Sequence, residues 1–414
     1  MRIRLSPASR TPLLTPLTQV PAKFITATGA MALHSPLASH STAENILIPT
    51  DDTETSMEAF EGNYQIVRKV GEGTFGRVFL ARYTPNPSSD PVALKKILPT
   101  CSSNRIAKEI NFLKALGGQC HIPQLLDGFV TPSHSVTLVL TYLEHDSFFD
   151  ILDNIDISGV LAYMRQLFEA LSYIHEKGFV HCDVKPGNCL YSLKTKQFML
   201  VDFGLAEDIS GTVVSRLNDT QEPVSLAGEV RPHSGAWNAT KPKSQGASNH
   251  AFGGRNPLPR VRRGGTRGFR APEVLLRVPE QTVSLDVWSA GVVLLCILSG
   301  NCPFFGAKED LACFAELLPL FSMTAIERAL REMQRTLVAV PVDVGTHTDW
   351  KLLCREMNMS NPKLANAPDE LYQLLSRCLS LAPSTRIAAE DAVDRCKQLE
   401  HIWLLTHADE VSDG

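Results

Sequence analysis

The stretch His181-Cys182-Asp183-Val184-Lys185-Pro186-Gly187-Asn188, with Val201-Asp202-Phe203-Gly204 shortly after it, decides how this chain reads. Moving a phosphoryl group asks little covalent chemistry of a protein. It needs a carboxylate beside the attacking hydroxyl and oxygen ligands for the metal ions that neutralise the phosphates. Asp183 suits the first need, Asn188 and Asp202 suit the second, and Lys185 suits a group that steadies the transferred phosphoryl. A chance acidic turn after a helix is the plain alternative, so the flanking chain has to decide.

Upstream, Tyr64-Gln65-Ile66-Val67 alternates as a strand, Gly71-Glu72-Gly73-Thr74-Phe75-Gly76 turns, and Val78-Phe79-Leu80-Ala81 runs back as a second strand. A dinucleotide fold would follow such glycines with a helix; here a strand follows. Glycines let a backbone approach phosphates without side-chain collision. Val70 to Gly76 are therefore expected to cover a nucleotide, with Val78 closing over its base and Ala93 beside it. Val92-Ala93-Leu94-Lys95 puts a lysine on a β-branched strand, and Ile106, Ile110 and Leu113 mark one face of a helix carrying Glu109. A Lys95–Glu109 ion pair aimed at the α- and β-phosphates is expected. Val136 to Leu140 reads as a strand, with Leu140 at the back of the pocket, Thr141-Tyr142-Leu143 as its hinge and Leu190 on its lining. Val160, Tyr163, Met164, Leu167, Leu171 and Ile174 recur at helical spacing up to Gly178, predicting a buried helix that leads into the Asp183 loop.

Downstream, Ala271-Pro272-Glu273 arrives only after a long excursion from about Asp208 to Arg262, rich in Gly, Pro, Ser and Asn, expected to be disordered or to fold against a partner. Asp286 opens the apolar run Val287 to Leu298 and is expected to cap the Asp183 loop from beneath, while Arg386 is expected to pair with Glu273. A second polar stretch near Pro341 to Pro368 reads as irregular, a loop or docking surface.

With 414 residues, 44% of them hydrophobic and 20% charged, the chain has the composition of a soluble globular protein with two or three domains. A net charge of −4 offers no whole-chain attraction to nucleic acid or anionic membrane, so neither is an expected partner. The Val287 to Leu298 run is shorter than the roughly 20 residues of a membrane span. Ten scattered cysteines without a Cys-x-x-Cys pair argue for reduced thiols, and an insert without cysteine does not support a zinc site. Residues 1–60 read as a disordered tail in which Ser6, Thr11, Thr15 and Ser35 precede prolines as phosphorylation sites do. Arg2, Arg4, Arg10 and Lys23 with no acid before Glu44 leave a mitochondrial transit peptide as the alternative.

The order of these motifs over residues 61 to about 405 resembles a eukaryotic protein kinase. That resemblance implies an α+β bilobal protein-kinase fold with long inserts. A small β-rich N-lobe over 61–143 holds the αC helix with Glu109, a mainly α-helical C-lobe follows over 144–407, and 408–414 is a tail. It implies ATP and Mg²⁺ as cofactors, Asn188 and Asp202 as the metal ligands, and Asp183, Lys185, Asn188 and Thr266 as the catalytic group of a non-specific serine/threonine protein kinase. Gly117-Gly118-Gln119, Tyr142-Leu143-Glu144-His145-Asp146-Ser147-Phe148, Gly268-Phe269-Arg270-Ala271-Pro272-Glu273 and Asp286-Val287-Trp288-Ser289-Ala290-Gly291 look like the cell-division-cycle-seven kinases.

That family phosphorylates the minichromosome maintenance helicase to start DNA replication. It implies an activating subunit of the Dbf-four type that binds inserts and N-lobe, a nuclear location, and targets followed by acidic residues. Arg260, Arg262, Arg263, Arg267 and Arg270 crowd the segment expected to face such residues. Cys182 departs from the pattern, standing where many kinases carry the arginine that anchors a phosphorylated loop. The rival expectations are a casein-kinase-like or cyclin-dependent-like enzyme with other substrates, and a catalytically silent scaffold.

Overall fold

The computed structural model describes residues 60–61, 63–73, 76–130, 135–209, 264–336, 348–358 and 361–407. The tail before residue 60, the body of the insert expected over 208–262, parts of the stretch at 341–368 and the last residues from 408 lie outside them.

Six strands form one antiparallel sheet: β1 (Phe60–Glu61), β2 (Tyr64–Gly73), β3 (Gly76–Tyr83), β4 (Val92–Ile97), β5 (Leu125–Val130) and β6 (Val136–Thr141), in the order β1-β2-β3-β4-β6-β5. Period-two alternation sorts their side chains. Val92, Leu94 and Val139 join a small outer cluster with Tyr64 and Ala81, while Ile97, Leu138 and Leu140 face the main core. The glycine stretch expected as a turn is instead part of the ladder: Gly71 pairs with Val78 and Gly73 with Gly76. Two register shifts, at Ile66/Arg68 and Lys69/Gly71, absorb the mismatch, and a Cβ at Gly76 would run into the Lys96 carbonyl of the next strand.

Between β4 and β5 runs α1 (Ser103–Leu116), the helix carrying Glu109, with Glu109, Ile110, Phe112, Leu113 and Leu116 buried. The second lobe is helical. Its α2 is Phe148–Asn154 and its α3 is Ile157–Glu176, capped by Asp156, whose carboxylate accepts from the Gly159 amide at 2.6 Å. Short strands follow: β7 (Phe179–Val180), β8 (Cys189–Tyr191), β9 (Phe198–Leu200) and β10 (Glu207–Asp208), pairing as β7 with β10 and β8 with β9. After the insert come α4 (Pro272–Leu275), α5 (Ser284–Ser299), α6 (Asp310–Leu317), α7 (Met323–Glu332), α8 (Trp350–Met357), α9 (Asp369–Cys378) and α10 (Ala389–Thr406). Every residue of α5 from Leu285 to Ser299 is buried, which is why its sequence is apolar all round. No described helix is long and apolar enough to cross a membrane.

The stretch read as irregular near 341–368 therefore contains a helix, α8. Its buried Trp350 and Cys354 are four residues apart and share one face, a two-point signal too sparse to stand out among polar neighbours. Asn361 then pins the chain to α2, its amide nitrogen donating to the carbonyls of Leu152 and Ile155 at 2.9 Å each.

One buried ion pair ties the end of the insert to the helical lobe. Arg386 donates through Nη1 and Nη2 to the two carboxylate oxygens of Glu273 at 2.7 and 3.1 Å, with both side chains essentially inaccessible. Its Nε donates to the Ser380 carbonyl, and the guanidinium lies 5.3 Å from the Trp288 ring. Removing one member strands a charge in the core. Arg386→Met should lower unfolding free energy by about 3–5 kcal/mol, read from the denaturant midpoint, and adding Glu273→Leu should recover most of the loss. A midpoint unchanged by Arg386→Met would contradict this.

Candidate active site

Between the lobes lies a cleft of about 370 Å³. Of the residues predicted to hold a nucleotide, Val70, Gly71, Glu72, Gly73, Gly76, Val78, Ala93, Lys95, Glu109, Leu140, Tyr142, Leu143 and Leu190 all line it. Thr74 and Phe75 lie outside the described residues. The cleft fits the group it was predicted to take. Apolar side chains line the part near the hinge, where a flat base would lie, and a Cβ built on Gly73 meets no protein atom within 4 Å, leaving open space beside the hairpin for phosphates.

At the inner end the Lys95 ammonium donates to Glu109 from α1 and to Asp202 Oδ1 at 2.8 Å. Burial works against this cation, but the two carboxylates outweigh it and lift its pKa above the ordinary lysine value. Asp202 feels the converse: burial raises its pKa, while Lys95 first, then His181 and Arg105, bring it below the usual carboxylate value. Both groups stay charged at neutral pH. Asp202 sits in the left-handed region at φ 66°, and the next residue, Phe203, stacks on Phe112 of α1 with centroids 4.0 Å apart. The helix that supplies Glu109 thus also packs the residue that follows Asp202.

The second half of the site is built on the loop after β7. Asp183 is 4% exposed and fully engaged. Its Oδ1 accepts from the Thr266 hydroxyl at 2.7 Å, and its Oδ2 accepts from Lys185 Nζ at 2.7 Å and from Asn188 Nδ2 at 3.2 Å. Lys185 also donates to Thr266 Oγ1 at 2.9 Å, closing a triangle. Asn188 Nδ2 donates to the Asp183 carbonyl at 2.8 Å, so its amide nitrogen is occupied and its carbonyl oxygen is the atom left for a cation. Asn188 and Asp202 could hold a divalent metal in this way. Gly265 needs its φ of +91°, and a Cβ there would lie 2.8 Å from the Cys182 carbonyl, so glycine lets the Thr266 segment close on the loop.

The loop rests on Asp286. This fully buried carboxylate accepts from the amides of His181 at 2.7 Å and Cys182 at 2.9 Å, and lies 2.9 Å from His175 Nε2. Cys182, at φ 66°, is half-buried and its thiol faces the Val180 carbonyl. His181 sets the tautomer locally: Nδ1 accepts from the Asp183 amide at 3.2 Å, so Nε2 donates to the Val201 carbonyl at 3.2 Å.

The structure brings together every described residue predicted for the site. Sequence reasoning passed over Met199, Val201 and Pro123 in the cleft lining, the bridging role of His181, and Phe112. Phe112 had a signal, an aromatic three residues after Glu109 on the same helix face. Arg270, grouped with the arginines facing substrate, also braces its own segment: Nε and Nη2 donate to the Gly265 carbonyl at 2.9 and 2.8 Å and Nη1 to Asp310 at 2.7 Å, while the side chain lines the groove beyond Thr266. Arg267 is exposed, and Arg260, Arg262 and Arg263 lie outside the described residues.

The protein kinase domain profile matches residues 64–223 and 249–396. The chain is 32% identical over 336 residues to the probable cell division control protein 7 homolog 2 of Encephalitozoon cuniculi, covering 80% of this chain and 90% of that one. It is 31% identical over 385 residues to the cell cycle serine/threonine-protein kinase hsk1 of Schizosaccharomyces pombe, covering 83% and 73%. To the human cell division cycle 7-related protein kinase it is 27% identical over 509 residues, covering 80% and 88%. A protein kinase domain uses ATP with a divalent metal and acts on protein, which is the chemistry the two halves of the cleft are built for. The chain belongs to the protein kinases and, within them, to the serine/threonine kinases of the cell division control protein 7 family.

Proposed function

We propose that this chain is the catalytic subunit of a nuclear replication-initiation kinase, which uses Mg²⁺ and ATP to phosphorylate Ser or Thr of minichromosome maintenance helicase subunits, in acidic context, under control of a Dbf-four-type subunit. The observation that carries the chemistry is the closed Asp183–Lys185–Thr266 triangle beside Asn188 and Asp202. The replication role is supported by the relatives named for cell division control protein 7.

ATP with Mg²⁺ supplies the transferable phosphoryl group and neutralises its charge. The chain's own residues do the rest. Asp183 accepts or orients the proton of the substrate hydroxyl, and Thr266 holds the carboxylate in place. Lys185 steadies the transferred group, Asn188 and Asp202 hold the metal, and Lys95, set by Glu109, holds the α- and β-phosphates. A full set of these groups argues against a silent scaffold. Control by a subunit is supported by Cys182, which supplies no cation to anchor a phosphorylated insert. Acidic context is supported by the arginines at 260, 262, 263 and 267.

Three experiments on the 414-residue chain test this reading. In a radiolabelled-ATP assay on a helicase-tail peptide, adding the subunit should raise transfer, and Asp183→Asn should lower it by about 10²- to 10⁴-fold. Transfer unaffected by the mutation would refute the assignment of Asp183, and strong transfer without the subunit would refute subunit control. Arg267→Ala should cut turnover of an acidic peptide about fivefold more than that of its neutral counterpart, and equal losses on both would contradict acidic recognition. Replacing the Ser and Thr residues between Asp208 and Arg262 with Ala should leave basal activity within about twofold, whereas a collapse would show that loop phosphorylation is needed after all.

A further inference from the structure

The last turns of α5 and the loop after it bring two thiols together. Cys296 lies on the helix and is fully buried, and Cys302 is half-buried between the exposed residues Asn301 and Pro303. Their side chains are within hydrogen-bonding reach of each other, and the Cys296 sulfur also accepts from the Phe304 amide. Neither lines the nucleotide cleft. The contact with Cys296 holds the Cys302 thiol below the ordinary cysteine value, whereas the contact with Cys302 and then burial push the Cys296 thiol up. Of the two, Cys302 is the sulfur that a solute can reach and the one richer in thiolate.

The loop that Cys302 opens backs the segment carrying Thr266. Gly268 adopts φ +84°, and a Cβ there would lie 2.7 Å from the Phe305 carbonyl oxygen and 3.8 Å from Pro303 Cβ, so the loop presses directly on that glycine. Thr266, whose hydroxyl donates to Asp183 at 2.7 Å, stands just before it in the same segment. The far end of the loop is fixed on α6. There the Cys313 thiol donates to the Ala307 carbonyl at 3.1 Å, and Glu316 accepts from the Ala307 amide at 3.3 Å. A displacement at Cys302 therefore tilts the loop about Ala307 and reaches the Thr266 segment through Pro303 and Phe305.

We propose that Cys296 and Cys302 form a reversible disulfide when the chain meets hydrogen peroxide, and that the bond weakens the hold on protein substrate by shifting the loop behind Gly268. The Cys302 thiolate attacks one peroxide oxygen, the O–O bond breaks, and hydroxide leaves to take up the proton that the thiol gave; the sulfur is now a sulfenic acid. The Cys296 sulfur attacks that sulfur, the S–S bond forms, and the hydroxyl leaves with the Cys296 proton as water. In sum, two thiols are oxidised to a disulfide and one peroxide is reduced to two waters. Cys296 is fixed in a helix buried from Leu285 to Ser299, so closing the bond draws Cys302 toward α5 and leaves the cleft around Lys95 untouched. Thiols that rest reduced and pair only under oxidant make a switch and not a structural staple.

The test treats the 414-residue chain with hydrogen peroxide, alkylates the remaining thiols and weighs the tryptic fragment from Val278 to Lys308, whose only cysteines are Cys296 and Cys302. That fragment should appear unalkylated and lighter by two hydrogens, and should take up both alkyl groups after dithiothreitol. On any peptide that the reduced chain phosphorylates, oxidation should raise the peptide KM about threefold or more, while affinity for a fluorescent ATP analogue stays within about twofold. Dithiothreitol should reverse the rise. Cys302→Ser should match the reduced chain in basal turnover and lose the response to peroxide, and Cys296→Ala should lose the disulfide by removing the other sulfur. A fragment still alkylated on both thiols after peroxide overturns the proposal. So does a response that survives Cys302→Ser, which would belong to another thiol such as Cys182, and so does a disulfide that leaves the peptide KM unchanged or weakens ATP equally.

Discussion

The buried ammonium of Lys95 is the constraint from which the rest of the site takes its shape. An unpaired charge at that depth would cost several kcal/mol, so the fold has to bring carboxylates to it. Glu109 comes from α1 and Asp202 from the loop after β9, which means that sheet, helix and metal-binding loop meet at one nitrogen. Phe203 on Phe112 makes the same junction in apolar terms. The electrostatic and packing contacts therefore favour the same position of α1, and a shift of that helix would disturb both.

Asp286 does for the catalytic loop what Lys95 does for the cleft. A fully buried carboxylate needs donors, and the amides of His181 and Cys182 supply them. Holding those amides requires the backbone to enter the left-handed region at Cys182, a conformation that costs an L-residue free energy and persists only when its surroundings impose it. Asp286 belongs to α5, the most deeply buried helix, so the position of Asp183 is inherited from the core of the helical lobe.

How far this was legible from the chain alone follows from how local each signal is. Strands, α1 and α3 announce themselves by period, α5 by an unbroken apolar run, and Asp183, Asn188, Asp202, Lys95 and Glu109 by spacing, because the chemistry tolerates few alternatives at those points. Side-chain bridges between distant segments are a different matter. That Nδ1 of His181 accepts from Asp183, or that Asn361 holds α2, depends on where the backbone arrives and leaves no periodic trace. The helix α8 was hidden for a related reason: a short helix resting on two buried residues looks like a polar loop. The glycine hairpin was legible and only the extent of its turn was not, because Gly71 and Gly73 continue the ladder opposite Val78 and Gly76.

Arg270 shows why residue type alone cannot assign a basic cluster. In sequence it is one of five arginines close together, yet its guanidinium is directed inward, to the carbonyl of Gly265 and the carboxylate of Asp310. That placement stiffens the segment presenting Thr266 to Asp183, and it neutralises the Asp310 carboxylate at the edge of the neighbouring groove. A guanidinium with three of its five N–H groups held by the protein contributes shape, whereas an exposed one such as Arg267 keeps its donors free of the described residues. Two arginines three residues apart thus differ, Arg270 bracing the segment and Arg267 standing exposed, and only the partners of each reveal the difference.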